Sequence, residues 1–328
     1  MRRRLLALTV SSLLVFGAAA ACGSSTSSGS SGSSGSPSVD MGAKISGLTV
    51  SGKVGTEPNV KIKAPLKADQ PQTQVISAGH GNPVVEGQKA LLHIYLANGT
   101  TGQKAATTYD QGAPADLTIS QQQLFPPVVK ALVGKPQGSR VAIASSVKNI
   151  YGSAGASQLG LKPNDSLVFV VDIMSVQPKT VLSGPSGTKQ NVPSGLPSVV
   201  EQGNKVTNLD FSKAAKKPSS KLQVIPLTQG HGPVARPQSL VTFNYFGEQY
   251  GAKKPFDESY SKAPVTFALG TGNLIKAWDK GLVGLHQGSR VMIVAPPNDA
   301  YGAAGSPQGG IGKNATLVFI VDILGVDN

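Results

Sequence analysis

Apolar and polar residues alternate over short stretches through most of this chain. In 239–246 and 289–295, Val, Ile, Phe and Thr are strung between turn-forming Gly, Pro, Gln and Asn, the pattern of half-buried β-strands. Residues 316–324 are almost continuously apolar, which predicts a central strand covered on both faces. One stretch breaks the short period: within 274–285, Leu274, Trp278 and Leu282 fall four apart and share one face of a predicted helix. The natural assembly is an antiparallel sheet curved around one short helix, α+β in class.

That pattern occurs twice. Gln137-Gly138-Ser139-Arg140-Val141 returns as Gln287-Gly288-Ser289-Arg290-Val291, Tyr151-Gly152 as Tyr301-Gly302, and Leu167-Val168-Phe169 as Leu317-Val318-Phe319, each 150 residues on; Ala113-Pro114 and Ala263-Pro264 agree. One offset shared by separated segments predicts two homologous domains. The expected boundaries are 40–178 for the first and 221–328 for the second, with 179–220, rich in Pro, Ser, Lys and Gly, as a linker. Residues 40–72 and 196–220 stand in similar places before the two copies and could each add an edge strand.

The start of the chain reads differently. Arg2, Arg3 and Arg4 precede an apolar run over 5–16 and small residues up to Cys22, so 1–21 is expected to be a signal peptide; the run is shorter than the ~20 residues of a spanning helix. Cys22 is the sole cysteine and cannot form an internal disulfide. Ala19-Ala20-Ala21-Cys22 resembles a bacterial lipobox, which implies acylation of Cys22 and a lipoprotein on the outer face of the cytoplasmic membrane; ordinary cleavage, with secretion, is the other reading. Residues 22–39, nearly all Ser and Gly, are expected to be a flexible tether.

A net charge of +13 could suggest nucleic acid. Residues 73–178 nevertheless carry seven Lys/Arg against five Asp/Glu, and 221–328 nine against seven, so the excess lies in leader and joining segments. No nucleic-acid partner is expected. His80, His93, His231 and His286 have no metal-ligand spacing, and the Gly-rich 302–312 lacks the Gly-Lys-Ser/Thr ending of a phosphate loop and reads as a flap. Neither metal nor cofactor is expected.

In order, the second copy gives Tyr245, Phe256-Asp257, Val265-Thr266-Phe267, Leu274-Ile275-Lys276-Ala277-Trp278, Ala300-Tyr301-Gly302 and Phe319. This set resembles the FKBP-type peptidyl-prolyl isomerases over essentially all of 221–328. The resemblance implies a bowl-shaped pocket with Trp278 as the floor beneath a substrate proline, Tyr245, Phe256, Ile275 and Phe319 as walls, and Phe267, Leu274 and Val265 as further substrate contacts. It also implies that the Ile275 N–H and the Tyr301 hydroxyl hold substrate carbonyls. Asp257 either orients polar groups at the rim or is a structural carboxylate. The family often has an aromatic where Val265 stands, and the flap is about one residue longer than usual. Expected partners are proline-containing exported polypeptides, the membrane through Cys22, and macrolides of the FK506 and rapamycin kind.

At the constant offset, the first copy has Val128 for Trp278, Ala106-Thr107 for Phe256-Asp257 and Pro126-Pro127 for Lys276-Ala277, while Tyr95, Tyr151 and Phe169 remain. Tyr109-Asp110 could replace Phe256-Asp257 if the loop shifts by three. The first domain is therefore expected to keep the fold and little of the isomerase activity. The alternative for the whole chain is a lipid-anchored chaperone or adaptor that grips proline-containing segments without turnover.

Overall fold

The computed structural model describes residues 41–327, so the expected leader, Cys22 and the whole tether lie outside the described residues. The chain divides into two compact units that part after Met174.

In the first unit, β1 (Leu48–Ser51) and β2 (Asn59–Ile62) form a hairpin of their own. The main sheet uses β3 (Gln72–Ser77), β4 (Lys89–Asn98), β5 (Lys104–Thr107), β6 (Ala115–Thr118), β7 (Arg140–Ser146) and β8 (Ser166–Val176). Its order is β3-β7-β8-β4-β5, with β6 also on β4, and β3–β7, β7–β8, β4–β5 and β4–β6 pair antiparallel. The helices are α1 (Pro126–Leu132) and α2 (Val147–Tyr151).

The second unit repeats this plan. A short β9 (Gly187–Lys189) and a hairpin of β10 (Ser198–Gln202) and β11 (Lys205–Asp210) precede β12 (Gln223–Gly230), β13 (Leu240–Gln249), β14 (Asp257–Glu258), β15 (Val265–Ala268), α3 (Lys276–Gly281), β16 (Arg290–Ala295) and β17 (Leu317–Val326). The sheet order is β14-β13-β17-β16-β12-β9, with β15 also on β13. Strand β17 is buried throughout and central, as its continuous apolar run predicts. Its alternate residues Leu317, Phe319, Val321 and Ile323 face the core that holds Trp278 of α3, while Val318 and Ile320 face an outer layer with Val206 and Leu209 of the hairpin.

Three expectations need correction. The segments before each copy do not supply edge strands from 40–72 and 196–220: each makes a separate two-stranded hairpin that covers the outer face of its sheet. Residues 179–220 are more than a linker. Their β9 extends the second sheet by pairing with β12, and Leu196, Val199, Val206, Leu209 and Phe211 bury apolar surface there. The predicted helix is also shorter than its pattern, because Leu274 and Leu282 lie outside α3 and Gly284 turns the chain so that its N–H reaches Ala235 O.

The repeated Gln-Gly-Ser-Arg-Val motif is explained by this outer layer. Arg290 is buried and donates from Nε to Asp322 Oδ1 at 2.5 Å and from Nη2 to Asp322 Oδ2 at 2.7 Å, then reaches the hairpin at Asn204 O (2.7 Å) and at the Glu201 carboxylate. Arg140 does the same with Asp172 and with the carbonyls of Gly52 (3.1 Å) and Thr56 (2.7 Å). Ser289 and Ser139 accept from Gly230 N and Gly79 N, and Gly288 holds φ 93° where a Cβ would lie 2.3 Å from Ser186 O. The motif therefore fastens hairpin to sheet by bidentate, charge-assisted bonds.

Candidate functional site

On the inner face of the second sheet, Trp278 lies 5% exposed on α3. Three aromatic rings meet it edge to face: Phe243 at 5.4 Å, Tyr245 at 5.5 Å and Phe319 at 5.5 Å between centroids. Phe256 stands at 5.7 Å and 86° to Phe319 and extends the wall. Perpendicular pairs place the positive ring edge against a negative face, which fixes each ring's tilt as well as its position. The rings enclose the base of a cavity of about 710 Å³. Its lining includes Tyr245, Phe256, Asp257, Phe267, Leu274, Ile275, Trp278, Tyr301 and Phe319, so nine of the ten pocket residues expected from sequence come together. Val265 is the exception: it packs against the core from β15, paired opposite Phe243, and is not part of the lining.

Local chemistry positions each group. Ile275 is the N-cap of α3, extended at φ −63° and ψ 148°, and its own amide makes no hydrogen bond among the described residues. Asp279 accepts from Gly270 N at 2.7 Å and Gly272 N at 3.0 Å, tying the loop before the helix to the helix itself. The Tyr245 hydroxyl bonds Asp257, and burial together with that carboxylate pushes its pKa up. Asp257 also meets Lys262 at 3.4 Å and accepts from Glu258 N at 2.9 Å, so the carboxylate has structural partners as well as a place at the rim. Tyr301 is 41% exposed and leaves its ring open to the cavity and to solvent. The flap behind it is braced by Gln249, which donates to Gly310 O (3.1 Å) and accepts from Gly312 N (2.9 Å).

Two contributors were not foreseen. Gly247 on β13 has no side chain, and a Cβ there would lie 2.7 Å from Phe256 Cζ and 3.0 Å from Phe319 Cε1. A glycine inside an otherwise apolar strand is the available signal. Lys276, at the first position of α3, lines the mouth.

The first unit places other side chains at the equivalent positions. Ile94 N bonds Thr108 Oγ1 at 2.9 Å as Tyr245 N bonds Ser259 Oγ at 2.9 Å, so the local offset is 151 and not 150. Ile94 therefore occupies the Tyr245 position, and Tyr95 lies on the outer face among Ile45, Leu48 and Leu66. Tyr109 is not a substitute for Phe256 either: its hydroxyl donates to Asp172 at 2.5 Å, the role Tyr260 has with Asp322 at 2.9 Å. Phe125, at the position of Ile275, is 6% exposed and packs edge-on to Tyr151 at 4.9 Å, with Phe169 at 6.4 Å. Its ring sits between the two surviving aromatics.

Fold and site together define a sheet-and-helix domain with a bowl lined largely by aromatic rings on the inner face of its sheet. A sequence model described as FKBP-type peptidyl-prolyl cis-trans isomerase matches residues 81–174 and 232–324, over half of the chain. The chain belongs to that family of enzymes and carries its domain twice. An FK506-binding protein of Streptomyces anulatus is 33% identical over 111 residues, which is 34% of this chain and 90% of the relative. The FKBP-type peptidyl-prolyl cis-trans isomerase FkpA of Escherichia coli is 36% identical over 35% of this chain and 41% of its own length. A crystal structure of FkpA from Escherichia coli aligns with a TM-score of 0.31 at 37% identity, covering 34% of this chain and 51% of that one.

Proposed function

We propose that the aromatic bowl of the second domain is the working isomerase site and that the first domain contributes fold without turnover. The observation that carries this reading is the contrast at one position: Ile275 lines an open cavity with Trp278, whereas Phe125, its counterpart, is 6% exposed and packs against Tyr151 and Phe169.

The chemistry suits such a site. Rotation about a peptide C–N bond faces a barrier of ~18–20 kcal/mol because resonance gives it partial double-bond character, and proline brings the cis and trans ends close in energy without removing that barrier. The twisted transition state has lost resonance and is less charge-separated than either planar end. An apolar bowl favours it over the planar imide, and catalysis is this difference in binding. Trp278 supports the pyrrolidine ring, the Ile275 N–H and Tyr301 hydroxyl hold carbonyls on either side, and no covalent bond forms. Substrates are proline-containing segments of exported proteins, with Cys22 lipidated so that the enzyme works at the outer face of the cytoplasmic membrane. The same bowl would accept FK506-like macrolides, in keeping with the name of the Streptomyces anulatus relative.

Catalysed cis-to-trans isomerisation of a short X-Pro peptide by the full chain tests this. Trp278→Ala removes ~2 kcal/mol of apolar contact, a fall of about thirtyfold in kcat/KM. Tyr301→Phe removes one hydrogen bond, worth ~1 kcal/mol, about fivefold. Both variants should keep the parent circular dichroism. Full activity in folded Trp278→Ala would exclude the bowl as the site; a folded parent without activity would favour a chaperone that binds without turnover.

A further inference from the structure

Among the described residues, the Tyr301 hydroxyl makes no hydrogen bond and its ring no aromatic contact, and the side chain is exposed. Its place is therefore set by the backbone turn that delivers it. In that turn, Pro297–Asp299, the Pro297 carbonyl accepts from Ala300 N at 3.0 Å and from Gly302 N at 2.8 Å, and so brackets Tyr301 on both sides. One side-chain bond among the described residues ties the turn to the rest of the domain: Lys280 Nζ of α3 donates to Asp299 Oδ1 at 2.8 Å. The Asp299 side chain is only 17% exposed and has no second partner there. Lys280 follows Trp278 by two residues on the same short helix, so the pair runs from the helix that bears the floor of the bowl to the turn that bears its proposed carbonyl donor. The first domain keeps Lys130 on α1 but has Asn149 at the place of Asp299. Asn149 donates instead to Asp69 O at 2.9 Å, and Tyr151 packs edge-on to Phe125. The ion pair belongs to the copy that has the aromatic bowl.

We propose that Lys280 and Asp299 are a positioning pair: by fastening the turn to α3 they fix the place of the Tyr301 hydroxyl relative to Trp278 and the Ile275 amide, and with it how well that hydroxyl meets a substrate carbonyl. This rests on the reading of the bowl as the isomerase site with Tyr301 as a carbonyl donor. A hydrogen bond weakens steeply as its angle departs from the ideal, so a donor on a side chain that nothing else holds depends on the element that carries it. Without Lys280, the largely shielded Asp299 carboxylate gains by turning to water, and the turn moves with it. Because the pair acts through one hydroxyl, its loss costs no more than the loss of that hydroxyl.

The test is a double-mutant cycle on kcat/KM of the full chain with an uncharged X-Pro peptide. Lys280→Met should lower it about threefold at low salt, within the reach of a partly exposed ion pair and below the roughly fivefold expected for Tyr301→Phe. Asp299→Asn should match it, and Lys280→Arg should keep the parent rate. Added to Tyr301→Phe, Lys280→Met should cost nothing further, because no hydroxyl is left to place. High salt should narrow the gap between the parent and Lys280→Met, since one partner is open to solvent. A Lys280→Met as active as the parent, or a loss that multiplies with that of Tyr301→Phe, overturns the proposal and leaves the isomerase reading standing. A folded parent that accelerates no peptide overturns the isomerase reading and the role of the pair with it.

Discussion

Replacing Glu248 by Gln should stabilise the second domain at pH 8 and change it little at pH 4.5. Glu248 lies on β13 between Phe246 and Tyr250, on the outer face, opposite Val318 of β17. It is 0% exposed, and neither carboxylate oxygen has a hydrogen-bond partner among the described residues. The first domain has Ala97 at the same place, buried in the equivalent apolar layer. Burial without a partner disfavours the charged form and pushes the Glu248 pKa up from 4.5 to about 7. Below 4.5 the group is protonated whether the domain is folded or not, and its contribution is at its best. Between 4.5 and 7 the unfolded chain ionises first, so stability falls as pH rises, by at most ~1.4 kcal/mol per pH unit. Above 7 the loss is complete, at most about 3 kcal/mol. Gln keeps the shape and cannot ionise. Urea unfolding at pH 4.5 to 8, followed through Trp278, should give a Glu248→Gln stability difference that grows over this window, while other titrating groups cancel between the two proteins. A difference independent of pH would refute the reasoning.

Two further substitutions probe the frame and the wall of the bowl. Arg290→Met leaves Asp322 buried without its cation and should cost the second domain ~3–5 kcal/mol in urea unfolding, with much of it recovered in the double variant Arg290→Met/Asp322→Leu; a loss under ~1 kcal/mol would show that the clamp does not hold the hairpin. Gly247→Ala drives a methyl into Phe256 and Phe319, and the displaced wall should lower kcat/KM about tenfold while overpacking lowers stability by only ~1–3 kcal/mol; retained activity would mean the wall yields freely.

Local regularities were legible in the sequence wherever one residue's environment follows from its neighbours. The apolar run over 316–324 gave a central strand because both faces of β17 are covered. Trp278, Tyr245 and Phe319 were legible through the family resemblance, whose pocket set they match in order, whereas the i, i+4 spacing of Leu274, Trp278 and Leu282 overstated the helix. The role of Arg140 and Arg290 was not legible as structure, since their partners in the hairpin lie far off in sequence and are mostly backbone carbonyls with no side-chain signature. The one-residue change of offset was hidden for another reason. Tyr95 and Tyr245 align at 150, and the hydrogen bonds that Thr108 and Ser259 accept from Ile94 N and Tyr245 N show that the strand has shifted, which moves Tyr95 to the opposite face.

That shift shows how the two copies could diverge without losing the fold. A sheet strand sends alternate residues to opposite faces, so the outer layer and the bowl are built from interleaved but separate sets. Both copies keep the outer set: an Arg–Asp pair, a tyrosine on the Asp, and an apolar hairpin above. The inner set changed more, with Phe125 where Ile275 stands, Val128 where the larger Trp278 stands, and apolar Ile94 in place of Tyr245 and its hydroxyl. Exchanging large for small within a closed apolar layer preserves packing while it removes a cavity. The first domain could therefore lose its bowl while the layer that fastens its hairpin stayed intact, and the second could keep its cavity because the clamp behind the sheet does not depend on what fills the front.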